Sequence, residues 1–249
     1  VSFLAGLWLA WLPLSAAALP PLRFLVLDAH SMPFSEFKNT ASGRLELTGG
    51  IIKDWQDALA RELHRTPVNI YYSRMRQDQA AASGQVDLRC FVSPEWVPPA
   101  LRQQYDWPTP FMHVEERLAG SVGKPQIRSV NELHGKTVGM VLGYRYPALE
   151  PLFDRHLANR DNAPNEAGVL AKQLAGRTDY MAVRTLDFYY LQRQNPALGV
   201  LQLSPLVINI APLYCARPKT SQLSLEELVQ AQQRLLDAGT MEKILQRYR

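Results

Sequence analysis

Two cysteines, Cys90 and Cys215, are all the thiol chemistry that this 249-residue chain carries, and neither belongs to a C-x-x-C. Its five histidines (His30, His64, His113, His134 and His156) are scattered, without close pairing or the order of a catalytic triad. A zinc centre needs three or four ligands at short spacing, so no resident metal is expected. A glycine-rich phosphate loop is also missing, and no cofactor is implied. Lys and Arg form no long runs, and the formal charge is +4. Such a mild excess reads as a solvated basic surface rather than a nucleic-acid footprint. Apart from residues 3–14, no long apolar run occurs, so no membrane-spanning helix is expected in the rest of the chain.

That first apolar run is informative. Phe3 to Leu14 is rich in Leu and Trp and uncharged, and Ser15-Ala16-Ala17-Ala18 follows. An apolar core leading into small residues is the pattern of a secretory leader, with cleavage expected after Ala18. The run is shorter than the roughly 20 residues that cross a bilayer, although an uncleaved anchor is the alternative. Export would place the mature chain in the periplasm, where Cys90 and Cys215 can join. Two buried thiols in apolar strands are the other reading. With 47% hydrophobic and 20% charged residues, the remainder has the balance of a globular protein long enough for two lobes.

Periodicity sketches alternating strands and helices. Arg23 to Asp28 and Val68 to Tyr72 are apolar strand-like runs, and Ile52, Trp55, Leu59 and Leu63 recur at helical spacing between them. A helix closed by Gly84 leads to a strand over Gln85 to Val92, then to the loop Ser93-Pro94-Glu95-Trp96. Phe111 to Ser121 and Val207 to Ala216 read as extended crossings. Between them lie a strand at Thr137 to Leu142, a helix opened by Pro147, a helix over Asn165 to Ala175, a strand over Asp179 to Val183, a helix to Gln194 and a strand over Leu198 to Leu203. Strand–helix–strand order predicts parallel sheets with right-handed crossovers.

Seven short motifs in order carry a family resemblance. They are Ser31-Met32-Pro33-Phe34, Gly50-Ile51-Ile52-Lys53-Asp54-Trp55, Gly84-Gln85-Val86-Asp87, Tyr105 to Phe111, Leu133 to Gly139, Gly176-Arg177-Thr178-Asp179 and Asp237-Ala238-Gly239-Thr240. From Leu22 onward the chain resembles the extracytoplasmic solute-binding proteins of polar amino-acid transport, family 3. The resemblance implies an α/β, periplasmic-binding-protein-like fold: two parallel-sheet lobes joined by a two-strand hinge, with the ligand in the cleft. Expected boundaries are 1–18 for the leader, 22–113 for the first lobe, 114–208 for the second, and 209–249 for the return. The implied role is solute capture by a monomer that serves an ABC-type permease, with no nucleic acid bound.

The chain departs from the family pattern where ligand is held. The loop expected to offer a carboxylate-gripping arginine ends in Trp96, and the strand end expected to carry an ammonium-binding aspartate carries Arg184. Gly143 is followed by Tyr144 and Arg145. Two guanidiniums, Arg145 and Arg184, converging near a helix start would hold a carboxylate or phosphate. Phe34, Trp96 and Tyr144 would wall the pocket, with Ser93 and Glu95 beside them. The expected ligand is therefore a small polar or anionic solute, atypical of amino-acid binders. Competing readings keep Trp96 as cover for a lobe edge, pair Arg145 with Glu150 or Asp154, expose Arg184, put Arg89 on a strand facing water, and make Asp28 and Glu95 loop caps. A sensor or partner-binding module, or a small-acid dehydratase, is possible on the same fold.

Overall fold

The computed structural model describes residues 19–27, 31–72 and 76–249. The expected leader and Asp28 lie outside them. In chain order the first part comprises β1 (Leu22–Val26), β2 (Glu36–Asn39), β3 (Leu45–Gly49), α1 (Ile51–Glu62), β4 (Pro67–Tyr71), α2 (Gln77–Ala82), β5 (Arg89–Val92), α3 (Pro99–Arg102) and β6 (Tyr105–Asp106). Next come β7 (Met112–Ser121), β8 (Thr137–Val141), α4 (Glu150–Asp154), β9 (Asn159–Ala163), α5 (Glu166–Leu174), β10 (Tyr180–Arg184) and α6 (Thr185–Gln194). The chain ends with β11 (Leu201–Pro218), α7 (Leu225–Asp237) and α8 (Thr240–Gln246).

Two lobes share one pair of long strands. β7 and β11 run antiparallel, with Leu201 opposite Ser121 at one end and Leu213 opposite Met112 at the other. The far end of β11 accepts β5 and β6 in the first lobe. In the second lobe β7 carries β10, followed by β8 and β9. Parallel pairing is confined to β1–β4, β10–β8, β8–β9 and a bridge from Phe24 to Leu88. The sheets are therefore mixed, not wholly parallel as expected, because the crossing strands must pair antiparallel to join the lobes. The two segments expected at 198–203 and 207–216 fuse into β11, bent by register shifts at Leu203/Val207 and Val207/Asn209. β9 escaped the sequence reading because Asn159-Arg160-Asp161-Asn162-Ala163 lacks apolar alternation, as a polar edge strand can.

Each lobe has its own apolar core. In the first, Trp55 stacks on Phe111 at 4.7 Å, and Phe91 stands edge-on to both Phe111 and Phe34. α1 is tied to this core at its start. The N–H groups of Ile51 and Ile52 donate to the carbonyls of Pro33 and Phe34 at 2.9 Å, which satisfies two orphan helix donors. Gly50 permits this approach: at φ 98°, an added Cβ would meet the Phe34 carbonyl oxygen at 2.5 Å. Cys90 and Cys215 face each other across β5 and β11 and are joined by a disulfide. In the second lobe Leu118, Val138, Met140, Leu149 and Tyr180 form the core.

The two motif aspartates do the same backbone work in each lobe. Asp87 accepts the N–H of Arg23, and Asp179 that of Thr137, both at 2.9 Å. Each returns its own N–H to the carbonyl of that same residue at 2.8 Å. They clamp the start of a strand to its neighbour and stand away from the cleft.

Candidate functional site

A cavity of about 500 Å³ opens between the lobes. From the first lobe β1, β5 and the loop after β5 line it; from the second, the loop after β8 and the end of β10 do so. Its floor is a row across three adjacent strands: Asn209 on β11 faces Glu116 on β7, which faces Arg184 on β10. Register partners share a sheet face, so all three side chains reach the cavity.

Of the expected ligand residues, Trp96, Glu95, Tyr144, Arg145 and Arg184 line this cavity, and Phe34 and Ser93 do not. Trp96 ends a short 3₁₀ turn opened by Pro94 and is 43% exposed at the rim. Phe34 is buried in the first core, and its ring face carries the Arg184 guanidinium 4.5 Å from the centroid. It supports a cavity residue from behind. Ser93 is wholly buried, with no hydrogen-bond partner for its hydroxyl among the described residues. Alternation on β5 brings Arg89, read as water-facing, to the cavity instead.

Arg184 is not the ligand-ready cation that its strand position suggested. Its Nε donates to Asp187 Oδ2 at 2.8 Å, and Nη2 bonds Glu166 Oε1. Both acids sit in the first turn of a helix, α6 and α5 respectively, where the dipole favours negative charge. Glu166 also accepts from Ser31 Oγ at 3.1 Å, a link from the second lobe to the first. Arg184 is held protonated well above the usual guanidinium range, as the attraction of Asp187 and Glu166 outweighs its burial. Burial pushes Asp187 up to about 7, against the pull of Arg184. The i+3 spacing of Asp187 was the signal in the sequence for this pairing.

Glu116 was missed by the sequence reading altogether. It is 7% exposed, accepts from Tyr146 Oη at 3.2 Å on Oε1, and from Asn209 Nδ2 at 2.7 Å on Oε2. Burial raises its carboxyl above the ordinary range despite these donors and the nearby Arg184. Tyr146 belongs to a braced loop: Glu150 accepts its backbone N–H, and Arg160 bonds both Glu150 and the Tyr144 carbonyl. Glu150 is thereby paired with Arg160. Arg145, exposed at the rim, has no hydrogen bond or ion pair among the described residues.

A wider hollow of about 730 Å³ lies on the opposite face of the hinge, lined by His113, Glu115, Tyr189 and Leu245 among others. The cleft is the better candidate site because buried polar groups converge in it from both lobes.

No family model matches the sequence, and no curated protein does. Among solved structures the chain is similar to an ancestral arginine-binding protein bound to arginine, at 20% identity and TM-score 0.71, covering 92% of this chain and 97% of that one. The GluR0 ligand-binding core in complex with L-glutamate aligns at 19% identity and TM-score 0.72, covering 94% and 99%. A histidine kinase sensor domain with similarity to periplasmic binding proteins aligns at 19% identity and TM-score 0.70, covering 92% and 95%. Over nearly its whole length the chain has the fold of the periplasmic binding proteins.

Proposed function

We propose that this chain is a divergent extracytoplasmic solute-binding protein of the family 3 type, which captures a small polar solute in the interlobe cleft and delivers it to an ABC-type importer. The observation that carries this reading is the cavity itself, whose charged and flat side chains come from both lobes across a two-strand hinge. Such an arrangement couples occupancy to closure. The Cys90–Cys215 disulfide supports an oxidising compartment, in keeping with the expected leader. Arg145 at the rim holds an acidic group of the solute, and Trp96 and Tyr144 flank its body. With Arg184 engaged by Asp187 and Glu166, the earlier picture of two converging guanidiniums gives way to one.

The role proposed is binding, not turnover. A thermal-shift screen of amino acids, dicarboxylates, aromatic acids and small peptides tests it. A ligand at ~100 times its Kd stabilises by ~2.7 kcal/mol, roughly 5–10 °C in Tm for a chain of this size. Arg145→Ala should weaken a hit about tenfold or more and leave the unliganded Tm within a degree or so. A flat screen, or chemical conversion of a hit, overturns the reading. A second role, as a sensory module, is favoured by the likeness to a kinase sensor domain over 95% of that domain's length. Deleting the protein separates the two. Loss of uptake of the solute supports delivery, whereas intact uptake with loss of a solute-dependent transcriptional response supports sensing.

A further inference from the structure

The floor of the cleft holds more acid than base. Around the single guanidinium of Arg184 lie Asp187 and Glu166, both bonded to it, and Glu116, its cross-strand neighbour. Two carboxylates already satisfy that cation. Glu116 is left with two neutral donors, the Tyr146 hydroxyl and the Asn209 amide. A carboxylate offers about four lone-pair positions, so half of its capacity faces the cavity unfilled by these two. Leaving a buried anion with neutral partners alone is costly, and a fold under selection only for stability would place glutamine or a hydrophobic residue there. The burial-driven rise in its proton affinity has the same origin.

We propose that Glu116 is the anchor for a cationic group of the solute, so that the cleft selects small molecules bearing a primary amine or a guanidinium. The cation reader thus sits on the hinge strand β7, in the middle of the Asn209–Glu116–Arg184 row, rather than at the strand end that Arg184 occupies. An ammonium here donates to the open side of the carboxylate and brings the count of charges at the floor closer to balance. Tyr146 and Asn209 are positioning residues, holding both oxygens so that the carboxylate presents a fixed face. Because Glu116 projects from a strand shared by both lobes, a cation bound to it is in place whichever way the lobes rotate. The assignment rests on the cleft being a solute site, with Arg145 at the opposite rim reading an acidic group.

The experiment uses matched probes: tyrosine, tyramine and 3-(4-hydroxyphenyl)propionate, with arginine and agmatine as guanidinium counterparts. Each is titrated calorimetrically into the wild-type protein and into Glu116→Gln, which keeps the shape and one acceptor. The expected result is binding by at least one amine or guanidinium probe, none by the deaminated acid, and a loss of roughly 10- to 100-fold in the variant. The unliganded variant should melt no lower than wild type, which a merely structural carboxylate would not allow. Binding of the deaminated acid as tightly as its amine counterpart, or unchanged affinity in Glu116→Gln, overturns the cation anchor while leaving the solute-binding role standing. Silence from every probe overturns both.

Discussion

Glu115 and Glu116 are neighbours on one strand and live in opposite worlds. Alternation along β7 turns Glu115 toward the outer face of the hinge and Glu116 toward the cleft. Glu115 accepts from Arg117 Nε at 2.6 Å and from Thr185 Oγ1 at 2.9 Å. Arg117 holds its carboxyl below the usual range, with burial too slight to reverse this. Glu116 receives two neutral hydrogen bonds in a dry setting, and burial raises it. The same side chain thus serves as a solvated strut on one face and as a strained recognition group on the other. What decides between them is hydration and whether the donor carries charge.

The largest expected effect falls on the cation that keeps the inner face tolerable. Arg184→Ala removes the partner of Asp187 and Glu166 and the only nearby guanidinium cited for Glu116. Breaking a buried pair from one side costs about 3–5 kcal/mol, and urea denaturation should show a loss of that order. Arg184→Lys should recover only part of it, because an ammonium cannot reach two carboxylates with a planar fork. A variant as stable as wild type would mean that the inner-face acids carry no charge in the folded protein, and the contrast with Glu115 would collapse.

A smaller effect, of opposite sign, is expected from pH. Burial keeps the proton on Glu116 and on Asp187, the latter up to about 7, so the folded state binds more protons than the unfolded one above about pH 4. Stability from these two groups therefore falls as pH rises through that window. Asp87 shows the reverse: burial pushes it up, but the side-chain and backbone donors of Arg23 more than offset this and leave it low. Asp179, bonded by Thr137 N–H and Lys124, is low as well. These acids stabilise above their unfolded values and lose that contribution as pH falls below about 4. Glu116→Gln should accordingly gain stability over wild type progressively from about pH 4.5 to pH 8, by calorimetric Tm. A constant offset across that range would show that Glu116 titrates as an exposed acid does.

How far the sequence foretold this molecule depends on whether a residue serves the backbone or the cleft. Asp87 and Asp179 were legible because a glycine-to-aspartate motif encodes a local clamp on a neighbouring strand, which is the same in both lobes. The crossing strands were legible as extended runs, although their fusion into an 18-residue β11 needed the paired structure. The site was half legible. Trp96, Tyr144 and Arg145 follow motif positions and do line the cleft. Phe34 followed one too, yet tertiary packing buried it under Arg184. Glu116 was hidden because Glu115-Glu116-Arg117 reads as a solvated run, and only the register with β10 and β11 decides which acid turns inward. The partners of Arg184 were hidden for a similar reason, since Glu166 is 18 residues away and meets it only through the packing of α5.

The smallest effect belongs to the outer face, and it completes the contrast. Glu115→Gln removes the charge that Arg117 and Thr185 address but leaves an acceptor in place. Half-exposed pairs of this kind contribute about 0.2–1 kcal/mol and weaken with salt. The loss should shrink toward zero in molar salt. It should also vanish as pH falls below about 4, because the wild-type carboxyl, held low by Arg117, is then protonated as well. Glu116→Gln, one residue along, should show neither the salt dependence nor the acid-side convergence from below; it starts as stable as wild type in acid and pulls ahead in base. Two substitutions of identical chemistry on adjacent residues, diverging in sign, salt response and pH limb, would establish that β7 divides a structural face from a recognition face. Parallel behaviour of the pair would instead assign both carboxylates to the solvated surface, and Glu116 would then have no claim on the ligand.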